Sequence, residues 1–238
     1  MRILALDSSG LVASVAIASE DVLLAEYTIN YKKTHSQTLI PMLDEIVRMV
    51  DLDLYEVDAI AITSGPGSFT GLRIGSATAK GLGLALDKPI VSVPTVDCLA
   101  YNFYGTDRMV CPIMDARRDQ VYTGLYEFVN DKLVVVSQQK VVSMDEIIDE
   151  INGIGKEVIF LGDGVPIHKD RIAETVKVGY SYAPLHMNRQ RAGAVAALGL
   201  EYYKAKQVET AAEHQPIYLR VSQAERERAE REKTISKR

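Results

Sequence analysis

The sequence predicts an α/β protein built from a duplicated βββαβα unit, its two halves facing each other across a cleft. Three observations predict it. Short apolar runs with strand periodicity alternate with stretches of helical periodicity in a fixed order. That order begins again at Met109. Residues 3–7 (ILALD) and 111–115 (CPIMD) hold the same place in each half, and each run ends in an aspartate that opens a polar hairpin, DSSG in one and DARRD in the other.

The first half reads as strands near 2–7, 12–18 and 22–30, then a helix near 36–50. A strand at 58–63, a helix near 69–86 and a strand at 89–93 follow. The opening strand is apolar on both sides, with Ile3 and Ala5 alternating with Leu4 and Leu6, so it is expected to be buried. The helix at 36–50 carries Leu39, Leu43, Ile46 and Met49 on one face. Pro41 falls near its first turn, where a missing N–H is tolerated. The second half reads as strands at 109–115, 120–128 and 132–142, a helix near 143–151 and a strand at 157–161. Val121 and Leu125 alternate there with Tyr122 and Tyr126, as in ordinary sheet packing. The expected domains are 1–99, 100–208 and a C-terminal segment, 209–238. That segment ends in SQAERERAEREKTISKR, whose six basic and four acidic residues and near lack of apolar ones predict a solvated helix or frayed tail.

At 238 residues and 47% apolar content, the chain is long enough for one large core or two modest ones. No run reaches the length of a membrane-spanning helix, and the start lacks the order of a secretion signal. Two cysteines, Cys98 and Cys111, without metal spacing suit a reduced, cytoplasmic protein. A net charge of −5 argues against strong autonomous nucleic-acid binding, so any RNA is expected to be held mainly by another protein. His35 lies at a helix start, where capping or exposure explains it. His168, His186 and His214 share no ligand spacing, and no Ser-His-Asp or Cys-His order can be argued.

The stretch AIAITSGPGSFTGLRIG, residues 59–75, is the most distinctive. It lacks the lysine and spacing of a P-loop. It also misses the dinucleotide fingerprint, since three residues separate Gly67 from Gly71 and the next strand, PIVSVP, ends without an acid. The backbone N–H groups at the start of the following helix remain able to meet an anion. Gly71, Gly75, Ala79 and Gly83 recur every four residues and form one small-residue stripe, with Arg73 and Lys80 roughly opposite. Glycine costs about 1 kcal/mol relative to alanine in a helix interior, so the stripe is expected to be buried by a close neighbour. That neighbour is either the chain's own sheet or helix 36–50, or a second polypeptide. Periodicity leaves both open.

The two aspartate-bearing hairpins, facing each other, resemble those of the superfamily of actin, sugar kinases and heat-shock ATPases (ASKHA). The resemblance implies that Asp7, Ser8 and Ser9 in one hairpin, and Asp115, Arg117 and Arg118 in the other, occupy the places of phosphate loops. A simpler account is that aspartate favours turns. More specifically, ILALDSS, THSQTLIPML, GPGSFTGLRIG, AKGLG, DARRDQVY and the closing Pro216, Tyr218, Leu219 and Arg220 together resemble the TsaB family over residues 2 to about 220. The resemblance implies a non-catalytic paralogue of TsaD, the transferase that forms threonylcarbamoyladenosine beside the anticodon of tRNA. It implies binding to a TsaD-like protein joined by a TsaE-like ATPase, homodimer formation when alone, and tRNA reached indirectly. It implies no cofactor. The N-H-x-x-x-H metal motif of TsaD corresponds here to a stretch with Thr95 and Leu99 at the histidine positions. The expected partner interface is Gly71, Arg73, Gly75, Ala79 and Gly83 with His35, Leu39, Leu43 and Ile46. Asp7, Ser8, Ser9, Asp115 and Arg117 are expected to be vestigial phosphate loops, and Gly162, Asp163 and Gly164 a structural turn. The alternative function is a phosphotransferase or hydrolase working in the cleft with Asp7 and Asp115.

Overall fold

The computed structural model describes residues 1–220; the charged tail lies outside the described residues. The first half runs β1 (Arg2–Asp7), β2 (Ala13–Ser19), β3 (Leu23–Ile29), α1 (His35–Met49), β4 (Ala59–Gly65), α2 (Phe69–Leu86), β5 (Ile90–Pro94) and α3 (Thr95–Tyr101). The second repeats it with β6 (Met109–Asp115), β7 (Gln120–Val129), β8 (Lys132–Ser143), α4 (Met144–Ile154), β9 (Val158–Leu161), α5 (Val165–Thr175), β10 (Tyr180–Tyr182) and α6 (Ala192–Lys204). The two five-stranded sheets have matching order, β3-β2-β1-β4-β5 and β8-β7-β6-β9-β10. In each, the first strand pairs antiparallel with the second and parallel with the fourth. The duplication is therefore a βββαβαβα unit, one strand and one helix longer than the expected one.

Burial follows from the sheet positions. β1 sits mid-sheet and is apolar on both sides because both sides are covered. Leu39, Met42, Leu43 and Ile46 of α1, with Ala79 of α2, pack on one face of the first sheet. α6 covers the other face, although it lies in the range expected for the second domain. Its sequence, AGAVAALGLEYYK, has almost no polar side, as a helix pressed between layers requires. Gly199 permits the contact: a Cβ there would stand 2.8 Å from the Ala61 Cβ of β4. α3 does the reverse, joining Val96, Leu99 and Ala100 to Val110, Met114, Tyr126 and Leu161 of the second sheet. The closing helix of each half thus rests on the other half's sheet. A buried staple reinforces this: the Tyr126 hydroxyl donates to Asp97 Oδ1 at 2.7 Å. Burial holds the Asp97 carboxyl above its ordinary value despite hydrogen bonds from Tyr126 and Tyr202.

The segment after α6 is strapped to the first half. Ile90 and Glu209 exchange both backbone hydrogen bonds, at 2.9 and 3.0 Å. The Ile217 N–H donates to the Ser64 carbonyl at 2.7 Å. Lys80 Nζ, half-buried, donates to the carbonyls of Ala212 and His214 at 3.0 and 2.9 Å. His214 is buried, and its Nδ1 meets both Ser92 Oγ and Glu209 Oε1.

Candidate functional site: an interlobe cleft and a helical face

The glycine loop serves close packing within the chain. Ser68 caps α2 by accepting from the Gly71 N–H at 3.2 Å. The Ser68 N–H in turn donates to the Ser9 carbonyl at 2.7 Å, binding the loop to the β1–β2 hairpin. A Cβ on Gly67 would stand 2.2 Å from Ser9 O, on Gly71 2.1 Å from Ser8 O, and on Gly75 2.2 Å from Ser8 Oγ. Side chains at these positions would occupy the hairpin's own space. Gly83 lies against Ala211 and Ile90, and Ala79 is fully buried in the core.

This corrects the expected partner surface. Gly71, Gly75, Ala79, Gly83, Leu39, Leu43 and Ile46 are all buried inside the chain. Helical periodicity identifies the face that needs covering, and here the chain covers it by itself. His35 also differs from a capping residue. Its Nε2 meets the Gly10 carbonyl at 2.8 Å and its ring lies beside Gly71, while the N-cap, Thr34, makes no side-chain cap bond. Arg73 does stay exposed. It stacks on the Phe69 ring at 4.1 Å and donates from Nε to the Tyr218 hydroxyl at 3.4 Å.

What remains outside on the same helices is a set of exposed small and apolar residues. Ala77, Gly81 and Ala85 of α2 are exposed, beside Leu84 at 67% exposure, and Ile40 of α1 is 51% exposed. A Cβ on Gly81 would meet nothing within 4 Å, so nothing inside the chain explains this glycine. Its spacing of four from Ala77 and Ala85 was a readable signal, masked by the inner stripe of the same period.

The two hairpins differ in access. Asp7, Ser8 and Ser9 are buried beneath α2, and Asp7 Oδ1 accepts from the Ser9 N–H and Oγ at 2.9 and 2.7 Å. Burial outweighs these bonds and raises the Asp7 carboxyl above its ordinary value. A carboxyl raised in the folded state stabilises fully only below its unfolded value, and that contribution is lost as pH rises through the folded value. Asp7→Asn is therefore expected to raise the melting temperature at neutral pH, with the gain shrinking to nothing below about pH 4. Calorimetry across that range reads it; a variant less stable at neutral pH would mean that the ionised carboxylate has a favourable partner. The second hairpin is open. Asp115 and Arg117 are exposed, with the Arg117 N–H donating to Asp115 Oδ1 at 2.7 Å and the Asp115 N–H to Asp163 Oδ1 at 3.0 Å. Gly162, at φ +108°, brings the β9–α5 turn against the backbone of Ile113, where a Cβ would stand 2.0 Å from its carbonyl oxygen.

Between the lobes lies a cavity of about 690 Å³. The first hairpin, the start of α1 and of α2, the second hairpin and the strap 217–220 form its walls. Arg220 crosses it, its guanidinium donating to the Ala116 carbonyl of the opposite lobe. Among the described residues no three His, Cys, Asp or Glu side chains come together as a metal-holding group. Thr95 and Leu99, one turn apart on α3, are both buried.

Paired lobes of this strand order around a cleft define an α/β protein of the actin-like, ASKHA class. The (R)-2-hydroxyglutaryl-CoA dehydratase component A of Acidaminococcus fermentans shares the fold, with a TM-score of 0.50, 11% identity, and coverage of 87% of this chain and 99% of that one. The family model for TsaD, tRNA N6-adenosine threonylcarbamoyltransferase, matches residues 22–228. The tRNA threonylcarbamoyladenosine biosynthesis protein TsaB of Bacillus subtilis (strain 168) is 34% identical, over 94% of this chain and 96% of that protein. YeaZ from Pseudomonas aeruginosa is 26% identical with a TM-score of 0.76, covering 92% of this chain and 99% of that one. The chain belongs to the TsaB family of tRNA threonylcarbamoyladenosine biosynthesis proteins.

Proposed function

We propose that the chain is a non-catalytic subunit that binds a TsaD-like protein and, with a TsaE-like ATPase, supports threonylcarbamoyladenosine formation on tRNA in the cytoplasm. The observation that carries this reading is the outer face of α1 and α2. Gly81, Ala77 and Ala85 allow a facing helix to approach closely, and Leu84 and Ile40 supply apolar area that the chain leaves uncovered. A second copy meets the same face when the partner is absent, so self-association and partner binding compete. Two features support a non-catalytic role. Thr95 and Leu99 carry no imidazole where the resemblance places the TsaD ligands. Asp7, the first candidate for work on a nucleotide, is sealed under α2.

The test is reconstitution. The pure chain is expected to co-elute with a TsaD-like protein, and tRNA modification by TsaD-like and TsaE-like proteins is expected to require it. Modification at full rate without the chain would sink the reading. So would ATP turnover by the pure chain that Asp7→Ala abolishes.

A further inference from the structure

The mouth of the cleft has a charge pattern at odds with the chain as a whole. Net charge is −5, yet Lys32, Lys33, Arg117 and Arg220 line this one cavity. None of the four joins an ion pair among the described residues, whereas Lys156, Arg171 and Arg191 elsewhere are each held by a carboxylate. The lining also holds two carboxylates, Asp115, which accepts from the Arg117 N–H, and Asp163, which accepts from the Asp115 N–H, so four basic side chains face two acidic ones there. Beside Lys32 and Lys33 stands Tyr31, 71% exposed and without a ring partner among the described residues.

We infer that the cleft mouth binds unpaired nucleotides of an RNA loop directly, with Lys32, Lys33 and Arg117 on phosphates and a base stacked on Tyr31. The choice of RNA rests on the function proposed above. The chemistry rests on the site: free cations release counterions from a phosphate backbone, and an exposed tyrosine ring takes any unstacked base. A base inside an A-form duplex offers no free face, so a loop fits and a paired stem does not. An acidic peptide would satisfy the cations but has no use for the ring. Local rather than net charge decides such contact, and four cations without a deep base pocket give weak binding by the chain alone, with Kd on the order of 10⁻⁵ to 10⁻⁴ M at physiological salt.

The test uses the full-length chain and a fluorescein-labelled RNA hairpin of anticodon-arm type, read by anisotropy at several salt concentrations. Lys32→Glu/Lys33→Glu is expected to weaken binding about tenfold or more and to flatten the salt dependence by about 1 to 1.5 in slope. Tyr31→Ala is expected to weaken binding several-fold at unchanged slope and to erase any preference for the loop over a fully paired duplex. Three results overturn the inference: no binding by the parent up to about 1 mM, equal affinity in all variants, or displacement by polyglutamate that Tyr31→Ala does not affect. Co-elution with the TsaD-like protein is read on the same samples. A chain that fails to pair but shows both variant effects sinks the subunit reading alone; one that pairs while its RNA affinity ignores the variants sinks this inference alone.

Discussion

Gly75→Leu is expected to destabilise the chain by about 3 kcal/mol or more, a large part of an ordinary domain's stability. The clash has nowhere to relax. A Cβ at position 75 would stand 2.2 Å from Ser8 Oγ and 3.1 Å from Ile62 Cδ1. Ser8 is pinned by its hydrogen bond to the Gly71 carbonyl at 2.9 Å and follows directly on a central strand held by neighbours on both sides. Ile62 is itself in β4, between β1 and β5. Gly71→Ala should be costly for the same reason at smaller size, since its Cβ meets the Ser8 backbone oxygen, which no rotamer change can move. Gly81→Ala, two turns along the same helix, faces open space and should stabilise by about 1 kcal/mol. Urea midpoints of the three variants measure the contrast. If Gly75→Leu unfolds at the parent's midpoint, the stripe is not packed on the hairpin.

How far the sequence reveals this molecule depends on whether a residue's pattern identifies its neighbour. Apart from α3, the strands and helices of both halves up to β9 follow from periodicity, because an amphipathic period of 2 or 3.6 states which side must be covered. α3 is seven residues long and β10 three, too short for a period to register. α6 is apolar nearly all round, so it presents no face to detect; its place on the opposite half's sheet is a tertiary fact. The stripe of Gly71, Gly75, Ala79 and Gly83 was legible as a close contact, and the glycine cost made that inference firm. Its partner was not legible, since Ser8, which Gly71 and Gly75 meet, lies more than sixty residues away in sequence and serine has no periodic signature. The cations of the cleft mouth were hidden differently. Lys32 and Lys33 sit in an ordinary turn, and only the fold brings them to one cavity with Arg117 and Arg220. Composition counted the net charge correctly and said nothing of its distribution.

Gly81→Leu is expected to leave the fold as stable as the parent or more so, while weakening binding to the TsaD-like protein about thirtyfold or more, which corresponds to roughly 2 kcal/mol. The two halves of this expectation come from one fact. A side chain at position 81 points into open space in the single chain, so leucine removes the helix penalty of glycine without a clash. If a facing helix packs there, the same leucine stands where its backbone must lie, and close packing tolerates no extra methylenes. Ala77 and Ala85, one turn to either side, are exposed along the same helix with Leu84 at the flank, and would extend and anchor such a contact. Leu84→Ala tests the anchor separately, since it removes apolar area without obstructing approach and should weaken binding by a smaller factor, about five- to tenfold. If a homodimer uses the same face, it should dissociate in step. A Gly81→Leu chain that pairs with undiminished affinity would place the contact elsewhere and leave that glycine without a purpose, whereas loss of pairing with an intact fold separates partner recognition on the outer stripe from the packing role of the inner one.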